Sequence, residues 1–331
     1  MKRCVAELES LSMTETTHLE AKVLLLEHDA QQCKVLTDFC DSVGLLPLLR
    51  TSHDALSCLE SNKDLAGVLL AEDLPCGTRN ALFLAESIHR LRPELPIFLR
   101  RTTSGDLDAL YREFIRYPWS TGDVDQLRAG VDRSIFSLRY PTALVEGIVE
   151  LTVASMRSMF PNAAVNAEPP YVVHDRIIHG EVSTIIPLES TWCRGYMMLQ
   201  TEESALRQGM LKGFSYEGVG GELNFRDLNN MLGETTNLIW GAFKNRYIAP
   251  QTTSTQLAQV PIVINHAHKY ISFGSPDPQL CVRYSLSEAG RRGGQPLVIV
   301  QRFIFNLHWS PEQFAEYAAS SSSEAGELDL F

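Results

Sequence analysis

The sequence has 331 residues, 44% of them apolar and 21% charged, which excludes a wholly disordered or fibrous chain and, at about 100–200 residues per domain, favours two domains. Its 40 acidic against 29 basic residues give a formal net charge of −11 with no Lys/Arg block, so binding to nucleic acid or to an anionic membrane is disfavoured. The longest apolar runs, such as Val23–Leu26 and Val68–Ala71, fall far short of the roughly 20 residues that span a bilayer.

Met1–Thr17 carries Lys2, Arg3, Glu7, Glu9 and Glu15 and has no apolar block ahead of a small-residue cleavage site. It does not read as a signal peptide, so residues 1–20 are expected to be a flexible leader on a cytoplasmic protein. The seven cysteines (Cys4, Cys33, Cys40, Cys58, Cys76, Cys193, Cys281) are scattered, with no Cys-x-x-Cys pair and no nearby His at zinc spacing. Reduced thiols are expected, without disulfides or a structural metal.

Lys22–Glu27 is a short apolar run ending in a charge, the pattern of a strand buried in a parallel sheet. After a helical stretch the alternation repeats: strand Leu45–Leu49, helix Asp54–Asn62, strand Ala66–Ala71, helix Arg79–Arg90, strands Pro96–Leu99 and Phe114–Arg116, and helix Val124–Leu138. Strands alternating with helices in this way predict an α/β domain with a doubly wound parallel sheet.

The order and landmarks of residues 21–137 resemble the receiver domain of bacterial two-component response regulators, the CheY-like fold. In that family an acidic cluster after the first strand holds Mg²⁺, an Asp at the end of the third strand accepts phosphate, and a hydroxyl residue and a Lys close the site at strands four and five. Here Glu27, His28 and Asp29 stand at the acidic cluster, and counting back four residues from Pro75 lands on Ala71. Arg101 stands where the hydroxyl belongs, and Tyr117, in Tyr117-Pro118-Trp119, where the Lys belongs. A methyl group cannot form an acyl phosphate, so the resemblance implies a pseudo-receiver with a degenerate site. A rival reading moves the acceptor to Glu72 or Asp73 by a small register slip, which also turns the side chain to the other face.

In the second half, Pro141–Phe160 has helical spacing, with an apolar stripe of Leu144, Ile148, Leu151, Val153 and Met156. After a Pro/Asn-rich break come β-rich stretches Tyr171–His179, Val182–Leu188 and Gly195–Gln200, a helix Glu203–Leu211, and the loop Gly218-Val-Gly-Gly221. Phe225–Asn245 then reads as one long helix. Asp227, Asn230, Glu234, Asn237 and Gly241 follow at spacings of three and four and share one face; Leu228, Met231, Leu232, Leu238, Ile239 and Ala242 are expected to pack inward. Asn is a mediocre helix former and Gly costs about 1 kcal/mol relative to Ala, so this stripe is unusual, although a merely solvated face would also read this way.

The run Gly233-Glu234-Thr-Thr-Asn237-Leu-Ile-Trp-Gly241 resembles the Glu-x-x-Asn helix of the CheX/CheC/FliY family, phosphatases of the chemotaxis response regulator CheY. The resemblance spans residues 138–313, extends to the form Asp-x₅-Gly-Glu-x-x-Asn-x₃-Gly, and includes the Pro261–Ile264 strand; one such helix is present, as in CheX. It implies an α+β CheX-like domain in which Asn237 orients a water, Glu234 pairs with the partner's active-site Lys, and Asp227, Asn230 and Gly241 form the docking face. It also implies Mg²⁺ on the phosphorylated partner receiver, no cofactor of the chain's own, and a homodimer.

His266-Ala-His268 would put two imidazoles on one strand face, as a metal pair or a surface pair, whereas His174 and His179 point to opposite faces. No Gly-x-Ser-x-Gly occurs, which argues against a covalent serine hydrolase. Ser320–Ser323 reads as a linker within a flexible tail, residues 314–331, ending in Glu327-Leu-Asp-Leu-Phe331; this ending resembles sliding-clamp binding peptides, with Glu327 where Gln is usual. The expected function is dephosphorylation of a response regulator's aspartyl phosphate, the receiver-like domain recruiting or regulating. The alternatives are a non-catalytic adaptor for receiver-domain proteins and a response regulator with a genuine phosphorylation site.

Overall fold

In the first half of the chain the apolar runs become parallel strands: β1 (Ala21–Leu26), β2 (Leu45–Leu49), β3 (Leu65–Ala71), β4 (Ile97–Arg101) and β5 (Tyr117–Ser120), with helices α1 (Ala30–Val43), α2 (Ala55–Ser61), α3 (Ala81–Leu91), α4 (Ala109–Arg112) and α5 (Val124–Ser134) between and after them. The second half adds α6 (Thr142–Met159), β6 (Ala163–Ala167), β7 (Tyr171–Val173), β8 (Ile177–Ile178), β9 (Val182–Glu189), β10 (Cys193–Thr201), α7 (Glu203–Leu211), α8 (Phe225–Tyr247), β11 (Ile262–Asn265), β12 (Ile271–Ser272), β13 (Gln279–Glu288) and β14 (Leu297–Trp309). The computed structural model describes residues 19–78, 80–103, 105–175, 177–178, 180–214, 223–248, 260–266, 271–272, 277–288 and 295–317. Among them no helix is long and apolar enough to cross a membrane.

The chain divides into two units. One comprises Met1–Gly147, Glu168–Arg176 and Pro278–Arg283; the other comprises Ile148–Ala167, Ile177–Asp277 and Tyr284–Phe331.

The first unit is built on a five-stranded parallel sheet in the order β2-β1-β3-β4-β5. β3 lies at its centre with every residue buried, which is why Leu65–Ala71 is an unbroken apolar run. Leu24, Leu26, Val68, Leu70 and Leu99 pack with residues of α2 and α3 on one face. On the other, a Cβ at Gly130 of α5 would lie 3.3 Å from the Phe98 ring, and Arg128 of α5 donates to Ser42 Oγ of α1 (3.1 Å). Helices therefore cover both faces, the doubly wound arrangement. Pro47 and Pro118 lie on the two edge strands, where a missing N–H breaks no internal ladder.

The fifth strand is Tyr117–Ser120, not Phe114–Arg116. The N–H groups of Phe114 and Ile115 bond to Tyr111 O (3.3 and 2.8 Å), and Ile115 drops into the α2–α3 cluster, so Phe114 and Ile115 close α4 instead of extending. Glu20, assigned above to a flexible leader, is held by its backbone: its N–H donates to Pro170 O (3.2 Å), and its C=O accepts from Val172 (2.8 Å). Residues 1–18 lie outside the described residues.

In the second unit β11, β9, β10, β14, the Tyr284–Glu288 part of β13 and β6 form an antiparallel sheet in that order. The β10–β14 register shifts between Arg194 and Tyr196, and a Cβ on the intervening Gly195 would fall 1.9 Å from Ile304 O; only glycine fits that approach of two backbones. Trp192 anchors an aromatic cluster with Phe243, Phe305, Trp309 and Phe314 and donates its ring N–H to Tyr247 O (2.9 Å). Phe314 also packs on Tyr247, and Tyr317 N–H bonds to Arg246 O (2.8 Å). The tail expected from residue 314 is thus held as far as Tyr317, by the packing of the Phe314 ring and the backbone bond of Tyr317; residues 318–331, with the serine linker and terminal peptide, lie outside the described residues.

Gly195→Ala is expected to destabilise the protein by about 1–3 kcal/mol or more, because the obstructing atom is backbone. The urea midpoint checks it; an unchanged midpoint would contradict the close approach.

Candidate functional site

α8 begins with a complete capping box. The Asn224 side chain accepts from the N–H groups of Arg226 and Asp227 (2.7 and 3.3 Å), and Asp227 Oδ2 accepts from Asn224 N–H (2.8 Å), satisfying donors that a helix start leaves open. Lys244 and Arg246 lie in the last turn, where cations favour the helix dipole. Leu228, Met231, Leu232, Thr235, Thr236, Ile239, Trp240, Phe243 and Tyr247 are buried. The two threonines are matched internally: Thr235 and Thr236 donate to Met231 O and Leu232 O (2.7 and 2.8 Å), and the Thr184 hydroxyl of β9 meets Thr236 Oγ1 at 2.6 Å.

That burial sets the rotation of the helix and leaves Asn230, Glu234 and Asn237 exposed, with Asp227 and Gly241 half-buried beside them. Glu234 and Asn237 are one turn apart, and neither has a hydrogen-bond or ion-pair partner among the described residues. A Cβ at Gly241 would meet nothing within 4 Å, so nothing in the described structure demands glycine there. Leu238 departs from the expected inward packing. It is 41% exposed, because at 100° per residue it falls at the border between the stripe and the buried arc. Asp227, grouped above with the docking residues, has its carboxylate engaged in the cap.

The receiver-like residues of the first unit meet at the C-terminal edge of the parallel sheet, where ligands of open α/β sheets bind. Glu27 is 5% and Arg100 3% exposed. Arg100 donates from Nε to Glu27 Oε2 (2.7 Å) and from Nη2 to Glu27 Oε1 (3.0 Å) and Asp73 Oδ1 (2.9 Å), while Nη1 reaches Thr121 Oγ1 (3.2 Å). Glu27 Oε1 also accepts the N–H groups of His28 (2.9 Å) and Asp29 (3.0 Å), and Asp29 caps α1 through Gln32 N–H (2.8 Å). Burial opposes the charge on Arg100, yet its hydrogen bonds to Glu27 and the charges of Glu27, Asp73 and Asp29 raise its pKa above the ordinary value.

Ala71 ends β3 and pairs in register with Arg100, so its methyl group leaves the guanidinium a path to Glu27. Arg101 turns to Glu72 (2.9 Å) and Thr103 (2.8 Å). Tyr117 stands apart from this group. It starts β5, pairs with Phe98 and stacks on its ring at 5.1 Å; the β5 side supplies Thr121 to the cluster instead. Arg100 was not singled out from the sequence, although a charge inside a buried strand demands a buried counter-charge and Glu27 directly follows β1 of the same sheet.

The cation that the receiver resemblance implies does not fit these residues. Glu27, His28 and Asp73 bring ligand atoms within 4.8 Å of one another, but both oxygens of Glu27 and one of Asp73 are already bonded to Arg100. Of the two histidine pairs, His266 is buried with a ring nitrogen 3.1 Å from Ser183 Oγ, and His174 is buried with Nε2 2.9 Å from Ser134 O. His268, His179, Gly218–Gly221 and Cys4 lie outside the described residues.

The sequence matches no family model and no curated protein. Among solved structures the chain is similar to a putative chemotaxis protein from Desulfovibrio vulgaris Hildenborough (18% identity, 49% of this chain and 95% of that one, TM-score 0.37). It is similar to the chemotaxis protein CheX of Desulfovibrio desulfuricans (16% identity, 48% and 97%, TM-score 0.37). It is also similar to a CheY-like response regulator receiver domain protein from Methanospirillum hungatei JF-1 (14% identity, 35% and 96%, TM-score 0.31). Its structural neighbours are thus CheX/CheC-like chemotaxis proteins over about half of the chain and CheY-like receivers over about a third.

Gly241→Ala is expected to stabilise the protein by about 0.5–1 kcal/mol, since it removes a helix-interior glycine and the added methyl meets open space; a lower urea midpoint would contradict this. For Glu72, burial pulls the pKa up, but the N–H groups of Thr102 and Thr103, the Thr103 hydroxyl and the charge of Arg101 outweigh it, so the net direction is down. A lowered carboxylate stabilises the fold above its unfolded pKa and ceases to do so as pH falls through the folded one. Glu72→Gln is therefore expected to lower Tm at neutral pH and to flatten its fall in acid, as thermal melts across pH would show.

Proposed function

We propose that this chain acts in chemotaxis-type two-component signalling as a phosphatase for the aspartyl phosphate of a response-regulator receiver. The observation that carries the reading is the exposed pair Glu234 and Asn237, without partners among the described residues, one turn apart on a helix otherwise anchored in the core, with open space at Gly241.

The reaction asks for positioning more than for acid–base chemistry. A water oxygen bonds to phosphorus, the bond from phosphorus to the aspartyl oxygen breaks, and the products are a carboxylate and dihydrogen phosphate. Asn237 offers an amide whose oxygen and N–H₂ group hold a water without competing for its protons. Glu234 offers a carboxylate for a cation on the partner, a charge-assisted contact that sets the docking register. Gly241 lets the partner's backbone approach the helix. Mg²⁺ belongs to the partner receiver, where it neutralises phosphoryl charge. The first unit, with a methyl group at residue 71, serves recruitment or regulation and carries no phosphate.

Asn237→Ala is expected to slow dephosphorylation by on the order of 10²-fold, the scale of a lost water-orienting contact, with Tm unchanged because the side chain is exposed and unbonded. The assay follows loss of radiolabelled aspartyl phosphate from candidate receivers with the full chain, wild type and variant. Equal decay with both proteins, alongside intact binding, would favour the adaptor reading.

A further inference from the structure

We infer that Arg100 is a tethered cation occupying the charge position of a divalent ion in the first unit, so that this unit holds a single state without metal or phosphoryl group. One guanidinium joins residues from four places along the sheet's C-terminal edge: Glu27 after β1, Asp73 after β3, its own strand β4, and Thr121 after β5. Glu27, buried directly after β1, would otherwise need another cation beside it, and the exposed carboxylate of Asp73 converges on the same guanidinium. Glu27, enclosed and accepting four hydrogen bonds, has no capacity left for a second cation.

The surrounding charges agree with this assignment. Glu27, Asp29 and Asp73 are the acidic groups acting on Arg100. Arg101, the neighbouring cation on β4, is committed to Glu72 at 2.9 Å and cannot take over the role. A methyl group at residue 71 agrees with the same geometry, since a carboxylate at that position would add a fourth negative group to the three already acting on one guanidinium. The first unit's contacts with any partner are consequently independent of Mg²⁺ and of phosphodonors.

The test uses the full chain and Mn²⁺ as probe, read by the electron paramagnetic resonance of the free ion and by thermal melts. Wild type and Asp73→Asn should give superimposable Mn²⁺ titrations. Arg100→Gln should gain one saturable site, with a Tm that rises with Mn²⁺, and the gain should vanish in Arg100→Gln with Asp73→Asn. A saturable wild-type site that Asp73→Asn abolishes would overturn the inference, as would a folded Arg100→Gln that gains nothing. Should Arg100→Gln fail to fold, adding Glu27→Gln is expected to restore the melting transition by removing the orphaned buried carboxylate. A double variant as unstable as the single would show that Arg100 acts by packing, and the inference would fall.

Discussion

A helix laid on a sheet can hide only one side of itself, and everything proposed for α8 depends on which side that is. The rotation is set where Thr184 on β9 meets Thr236 at 2.6 Å, and Trp240, Phe243 and Tyr247 continue the buried arc to the C-terminus. A shift by one residue, about 100°, would turn buried side chains out to water and carry Asn237 toward the sheet. The threonines tolerate burial because each returns its hydroxyl to the preceding turn, so the helix is held to one angle without an unpaired polar group inside.

The two sites described here obey one rule with opposite results. In the first unit a carboxylate and a guanidinium are nearly enclosed, and each guanidinium nitrogen and each carboxylate oxygen has a partner. A buried pair of this kind adds little net stability over an apolar replacement but is costly to break on one side, by about 3–5 kcal/mol. On α8, Glu234 and Asn237 are exposed and have no partner among the described residues, which costs almost nothing in water. A site saturated from within has nothing to offer a ligand, whereas an unmatched stripe on a well-anchored helix does.

Much of the architecture was legible because it is written in local patterns. β3 is buried on both faces and reads as an unbroken apolar run; α8 repeats its exposed residues at three and four and starts at a capping box whose members are three residues apart. The misreadings have a common physical origin. Phe114-Ile-Arg116 has strand composition, yet the α4 carbonyls and the α2–α3 core claim it. Phe314 follows a short 3₁₀ turn, Pro311–Gln313, and looked like tail until Trp192 and Tyr247 supplied a place to bury it. Leu238 and Tyr117 were misplaced by smaller margins, one by a few tens of degrees around a helix and the other by the strand shift that put it at the start of β5.

The sequence by itself determined the α/β order of the first half, the identity and spacing of the α8 stripe, and the methyl group at residue 71, since periodicity, spacing and side-chain chemistry are properties of neighbouring residues. Only the tertiary structure decided that Arg100 crosses from β4 to Glu27, 73 residues away in the chain, and that Glu234 and Asn237 find no partner among the described residues. Both outcomes depend on which distant groups share one buried or exposed surface, and that is settled by packing strands and helices together.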